Sequence, residues 1–254
     1  MLKNKIILIT GASSGIGAAC AEQFAKAGAQ LILCARRVEI INNLAEQLKK
    51  QFQTQTHCIE LDVRDHHQIK KQLSALPEKY KNIDILVNNA GLAAGSDTIQ
   101  DANIQDWEDM IDTNVKGLLY MTREILPQMV AKNAGHIINI GSIAGHSLYS
   151  KGVVYCATKH AVKALSEGLR MDLFGTKVRV SSVDPGAVET NFSNVRFKGD
   201  EKKAAAIYAG FDPLKAEDIA DAVLYCATRP LHVNVADIIV MPTAQAAIGM
   251  IARK

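Results

Sequence analysis

The run Lys5-Ile6-Ile7-Leu8-Ile9-Thr10-Gly11-Ala12-Ser13-Ser14-Gly15-Ile16-Gly17 decides the fold. Ile6 to Ile9 are apolar enough for a buried strand, and the glycines close that strand and begin a helix. Glycine lets the backbone turn tightly and approach a pyrophosphate, while the helix that follows offers unpaired amides and a positive dipole end to an anion. The spacing is Gly-x-x-x-Gly-x-Gly, not the Gly-x-Gly-x-x-Gly of the commonest dinucleotide fingerprint. Gly11, Ser13, Ser14, Gly15, Ile16 and Gly17 are therefore candidates for a phosphate cradle.

Beyond it, strand-like runs recur at about 30 to 35, 56 to 61, 84 to 88, 136 to 141, 178 to 183 and 236 to 241, alternating with helical patterns. That alternation specifies an α/β fold, a doubly wound (Rossmann) parallel sheet of seven strands. At 254 residues and 48% hydrophobic, the chain can bury one large core. No linker, repeat or low-complexity tract divides it, so a single domain over 1–254 is expected. Helices at roughly 103 to 131 and 152 to 174 carry apolar residues on more than one face, which predicts burial against another subunit. Between 187 and 212 the pattern breaks and polar residues surround Phe192 and Phe197, as in a substrate lid beside the ligand-binding edge of the sheet.

The net charge of +3 is small and its basic residues are interspersed with acids, which argues against nucleic-acid and membrane partners. Met1-Leu2-Lys3-Asn4 leads straight into the first strand with no signal pattern, and no apolar run would span a bilayer. A cytoplasmic protein is expected. Cys20, Cys34, Cys58, Cys156 and Cys226 are odd in number and lack paired spacing, and the seven histidines lack ligand spacing, so neither a disulfide framework nor a metal site is expected.

Chemistry is carried by Ser142, Tyr155 and Lys159. Four residues apart on a helix, a phenol and an ammonium share one face, and a fixed positive charge lowers a tyrosine pKa from about 10 toward the working range. Ser142 follows the run His136-Ile137-Ile138-Asn139-Ile140-Gly141, so its hydroxyl emerges at the carboxyl end of a buried strand, where open α/β sheets bind ligands. The three make an apparatus for moving a proton to and from a carbonyl oxygen.

With the glycine turn, Asn88-Asn89-Ala90-Gly91, Asn114, Ser142, Tyr155, Lys159 and Pro185-Gly186 in this order and spacing, the chain resembles a short-chain dehydrogenase/reductase from end to end. Trp107 to Asn114, Phe192 to Asp200 and the carboxyl-terminal tail are similar to the NADP-dependent 3-hydroxy acid dehydrogenases, although the segment between Pro185 and Phe192 is one residue shorter. That subgroup oxidises L-serine, L-allo-threonine and related 3-hydroxy acids and reduces malonic semialdehyde. The resemblance implies that Tyr155 exchanges the hydroxyl proton, that Ser142 hydrogen-bonds the same oxygen, and that Lys159 tunes the tyrosine and holds the nicotinamide ribose. It further implies that Asn114 joins a proton relay through a helix kink, that Asp62 and Val63 contact adenine, and that Asn89, Ala90 and Gly91 pack near the cofactor. Pro185, Gly186, Val188 and Thr190 would place the carboxamide, and a homotetramer is implied.

An NAD-binding unit has an acid about 20 residues past the glycine turn to hold the ribose 2′-hydroxyl. Here Ala35 stands in its place and Arg36 and Arg37 follow, which suits a 2′-phosphate and predicts NADP. Arg196, between Phe192 and Phe197, is the candidate for binding a substrate carboxylate, with a structural tie of the lid as its rival. Alternatives are a 3-oxoacyl thioester or general carbonyl reductase with the same catalytic set, and a non-catalytic NADP-binding redox sensor.

Overall fold

The computed structural model describes residues 2–254. β1 (Ile6–Thr10), β2 (Gln30–Ala35), β3 (Thr56–Glu60), β4 (Ile85–Asn88), β5 (Gly135–Ile140), β6 (Val178–Pro185) and β7 (Asp237–Val240) form one sheet in the order β3-β2-β1-β4-β5-β6-β7. Every neighbouring pair is parallel. The chain winds outward from β1 to β3 and then restarts on the other side at β4, so a crevice opens between the ends of β1 and β4.

Continuous apolar strands follow from having a helical layer on each face. Ile7 and Ile9 join the core beneath α1 (Gly15–Lys26), α2 (Val38–Phe52) and α9 (Ala216–Thr228), which supply Phe24, Ile41 and Val223. Ile6 and Leu8 join the opposite core, filled by Ile69 of α3 (His66–Ser74) and by Met121, Ile125 and Met129 of α5 (Leu118–Ala131).

The long helix expected over 103 to 131 is broken into α4 (Ile104–Ile111), a π-helical stretch at Asp112–Gly117, and α5. The next long helix is α6 (Val153–Asp172). Between 187 and 212 lie α7 (Phe192–Arg196) and α8 (Glu201–Tyr208). Both ends of that segment meet at an isolated parallel bridge, Val188 with Leu214, where Glu189 N donates to Leu214 O at 2.8 Å and Leu214 N to Ala187 O at 3.0 Å. A hairpin of β8 (Gln245–Ala247) and β9 (Met250–Ile251) was not expected, because strands this short leave no alternation to read.

His136, at the start of β5, is 1% exposed and bonds Ser181 Oγ through Nε2 at 2.8 Å. Burial, aided by the nearby Arg179 charge, pushes its pKa down to about 3. The unfolded chain therefore holds a proton on this ring that the fold rejects, so stability present above pH 6.5 falls as pH drops toward 3. From pH 7 to pH 5 the loss is about 2 kcal/mol. Urea titrations at the two pH values should show a smaller difference in His136→Gln than in the parent; an equal difference would refute the assignment.

Candidate active site

Along the crevice runs one cavity of about 540 Å³, and its wall brings together nearly all the predicted residues. At one end are Gly11, Ser13, Ser14, Gly15 and Ile16. Ser14 caps α1 without using its side chain, so the first-turn amides of that helix remain free for an anion. Gly11 has φ +65°, and a Cβ there would lie 2.9 Å from Ala90 Cα, so only glycine fits. Gly17 does not line the cavity but lies behind it; a Cβ there would stand 2.5 Å from Asn89 Nδ2 and from Gly11 O.

Asn89 binds the β4 end to this turn, donating from Nδ2 to Thr10 O at 2.9 Å and Gly11 O at 3.1 Å. The amides of Asn89 and Ala90 both donate to Thr10 Oγ1 at 3.0 Å. Arg36 and Arg37, both exposed, border the cavity beyond β2, with Arg37 Nη2 on Ser13 Oγ at 3.0 Å. Asp62 and Val63 line the same end. Arg64, which sequence reading passed over, grips the Asp62 carboxylate at 2.6 Å and Asp109 at 2.9 Å; its hydrogen bonds and charge outweigh desolvation and keep Asp62 below the usual carboxylate range.

At the opposite end the cavity meets Ser142, Tyr155, Lys159 and Gly91, with Pro185, Gly186, Val188 and Thr190 along one side. Ser142 caps a short turn, Ile143–Gly145, its Oγ accepting from Ala144 N at 3.1 Å. Lys159 is 7% exposed and donates to Ile140 O at 2.8 Å, with Nζ 5.9 Å from the centre of the Tyr155 ring. Phe192 meets that ring edge-on at 5.7 Å between centroids.

The electrostatics differ from the expectation. Burial pushes the Tyr155 phenol up, reinforced by Tyr149, while Ser142 and the Arg196 charge pull it down. Burial also pushes Lys159 down to about 8, opposed by Asp184. The cost of desolvating a phenolate outweighs the Ser142 hydrogen bond and the Arg196 charge. Tyr155 is accordingly held as a phenol.

Asn114 does not border the cavity. It is 2% exposed within the π-helical stretch, and its Oδ1 accepts from Leu92 N at 2.8 Å while Nδ2 donates to Leu92 O at 2.8 Å and Thr158 Oγ1 at 3.0 Å. The expected kink is thus a π turn that aims an amide at the loop after β4. Arg196 does line the cavity, yet it is partnered: Nε donates to Gly95 O at 3.2 Å and Nη1 to Tyr149 Oη at 2.9 Å, with the guanidinium 5.2 Å from the Tyr149 ring centre. Tyr149 lies in a loop with no periodicity, and nothing in the sequence marked it.

The fit to a phosphorylated dinucleotide rests on glycines where a Cβ would collide, free amides at a helix start, and two guanidiniums beside the glycine turn. Comparison with known proteins agrees. The family model described as short chain dehydrogenase matches residues 5–201. The chain is 45% identical to an NADP-dependent 3-hydroxy acid dehydrogenase of Schizosaccharomyces pombe over 254 residues, 100% of this chain and 98% of the relative. It is 46% identical to sulfoacetaldehyde reductase 2 of Chromohalobacter salexigens over 242 residues, 95% of each. A solved structure, the closed form of a serine dehydrogenase complexed with NADP+, superposes with a TM-score of 0.91 at 46% identity, covering 98% of this chain and 99% of the other.

Proposed function

The chain belongs to the short chain dehydrogenase family, and from that premise we propose an NADP-dependent oxidoreductase of small hydroxy acids, with serine, allo-threonine and 3-hydroxypropionate/malonic semialdehyde as the substrate class. One observation carries the reading: a single cavity joins the paired arginines 36 and 37, the Ser142, Tyr155 and Lys159 cluster, and Arg196. The names of the relatives support it, since serine, 3-hydroxy acids and sulfoacetaldehyde share a small carbon frame and an anionic group.

The glycine turn and the first amides of α1 would hold the pyrophosphate, Arg36 and Arg37 the 2′-phosphate, Asp62 and Val63 the adenine, and Lys159 the nicotinamide ribose. NADP(H), when bound, supplies or accepts the hydride. Tyr155, kept protonated by its burial, donates a proton to the substrate oxygen in reduction; in oxidation the phenol first gives its own proton to solvent and the phenolate then takes the substrate's. Ser142 hydrogen-bonds that oxygen. Asn114 acts at one remove, by pinning Leu92 and so the loop that carries Ala90 and Gly91. The segment 187–212 serves as the lid, latched by Arg196 to Tyr149 and by Lys198 to Asp106 at 2.9 Å. Within 187–212 the basic Arg196, Lys198, Lys202 and Lys203 are matched by Glu189, Asp200, Glu201 and Asp212, so the segment carries no net positive charge of the kind that an acyl-carrier partner would require.

Arg196 keeps N–H groups beyond the two that it uses, and these would meet the substrate's anion. Arg196→Met, which preserves the stem, is expected to raise KM for L-serine and 3-hydroxypropionate about tenfold or more while sparing an uncharged carbonyl substrate. Equal losses on both would assign the residue to the lid alone. NADPH absorbance against these acids and their methyl esters tests the reading itself; equal turnover of acid and ester, or none of either, would overturn it.

Exposed apolar side chains support a homotetramer: Ile104, Ile111 and Leu119 along the α4–α5 helix, and Phe174, 93% exposed, after α6. A monomeric sedimentation mass would count against it. Five free cysteines, four of them buried, suit a cytoplasmic location.

A further inference from the structure

Beside the proposed catalytic groups lies a buried acid that the chemistry above does not use. Asp184, near the end of β6, is 1% exposed. Its Oδ1 accepts from the Ser182 hydroxyl at 2.6 Å and its Oδ2 meets His146 Nε2 at 2.6 Å. A carboxylate this deep is costly unless it is hydrogen-bonded and faces a positive charge. Lys159 Nζ bonds the carbonyl of Ile140, the residue before the Gly141 against which the carboxylate packs, and the Asp184 charge opposes the desolvation of that ammonium.

Packing ties the acid to Ser142 as well. A Cβ on Gly141 would run into the Asp184 carboxylate, so the carboxylate fills the space beside the residue that precedes Ser142. His146 ends the turn that Ser142 caps, its amide donating to Ile143 O at 3.0 Å. On the other flank, a Cβ on Gly145 would stand 2.6 Å from the Lys159 carbonyl oxygen. The turn is wedged between β6 and α6, and the wedge is fastened by the imidazole.

We propose that His146 and Asp184 are positioning residues for the reaction: the imidazole clamps the Ser142 turn to β6, and the carboxylate is the buried counter-charge of the Lys159 ammonium. The inference rests on the roles given above to Ser142, Tyr155 and Lys159. The carboxylate is bonded by His146 of the turn and Ser182 of β6, and the charge that it acts on is Lys159 of α6. β5 brings no titratable group to this end, and β7 sets Ile239 beside Asp184.

Asp184→Asn keeps the size and most hydrogen-bonding capacity of the carboxylate and removes one negative charge. Proton binding then weakens at Lys159, so the alkaline limb that this ammonium sets in the kcat profile moves to lower pH, by about one unit. With Lys159 at about 8 in the parent, a one-unit shift lowers kcat at pH 7 about twofold. The His146 side chain is 24% exposed, so its substitution places little of the fold at risk. His146→Ala should lower kcat several-fold without moving the limb, and His146→Gln, which still donates to the carboxylate, should recover most of the rate. A limb at the parent's pH in Asp184→Asn overturns the counter-charge role, and a parental kcat in His146→Ala overturns the clamp. Should Tyr155→Phe retain turnover, the underlying reading fails; with that loss established, an unmoved limb sinks this inference alone.

Discussion

Tyr155→Phe will lower turnover by about a thousandfold while leaving the NADPH dissociation constant close to the parent's. The change removes one oxygen from a ring that keeps its edge-on contact with Phe192 and its place beside Lys159. General acid–base groups contribute roughly 10² to 10⁴ in rate. What is lost is the proton held where the substrate oxygen would sit; the packing of the α6 wall remains. Fluorescence titration with NADPH and a rate assay on 3-hydroxypropionate test the two halves independently. Turnover within tenfold of the parent would remove Tyr155 from the chemistry, and lost NADPH binding would make it a structural residue.

Replacing Arg36 and Arg37 with alanine will reduce the NADPH-to-NADH ratio of kcat/KM by at least roughly tenfold. A charge-assisted hydrogen bond to phosphate is worth about 1.5 to 3 kcal/mol, and every 1.4 kcal/mol is tenfold in affinity. Both side chains are exposed, so solvent and salt screen them, and the lower end of that range applies. Arg37 also tethers Ser13, so its loss loosens the glycine turn for both cofactors, which the ratio cancels. An unchanged ratio would refute the assignment of the 2′-phosphate to these residues.

The inner strands were legible because parallel strands covered on both faces need unbroken apolar runs, as in Ile6 to Ile9, Leu31 to Leu33 and Ile85 to Val87, while the mixed Thr56–Glu60 and Val178–Pro185 were placed by the alternation of strand and helix. The glycine turn was legible because its conformations and close approaches exclude side chains. Tyr149, Arg64, His146 and Asp184 were not, since their importance comes from partners 38 to 47 residues away, and no local period encodes such pairings. The direction of the Tyr155 shift was misread for a related reason. Helical spacing gives the neighbour Lys159, but not how much of the phenol's surroundings is apolar. Arg196 looked unpaired along the chain, although its partners, Tyr149 and the Gly95 carbonyl, lie 47 and 101 positions away.

The bridge between Val188 and Leu214 gives this scaffold a modular joint. Everything between those residues leaves and re-enters the domain through one pair of neighbouring strand-like positions, secured by two backbone hydrogen bonds that do not depend on side-chain identity. Insertions, deletions or wholesale exchange of the intervening helices would leave the register of β6 and β7 untouched, because a longer closed loop costs little extra entropy. Such an arrangement lets the intervening helices vary while the sheet that frames the cavity stays constant. For protein engineering it marks 189 to 213 as the segment to transplant as a unit, with Ala187, Val188 and Leu214 retained from the recipient.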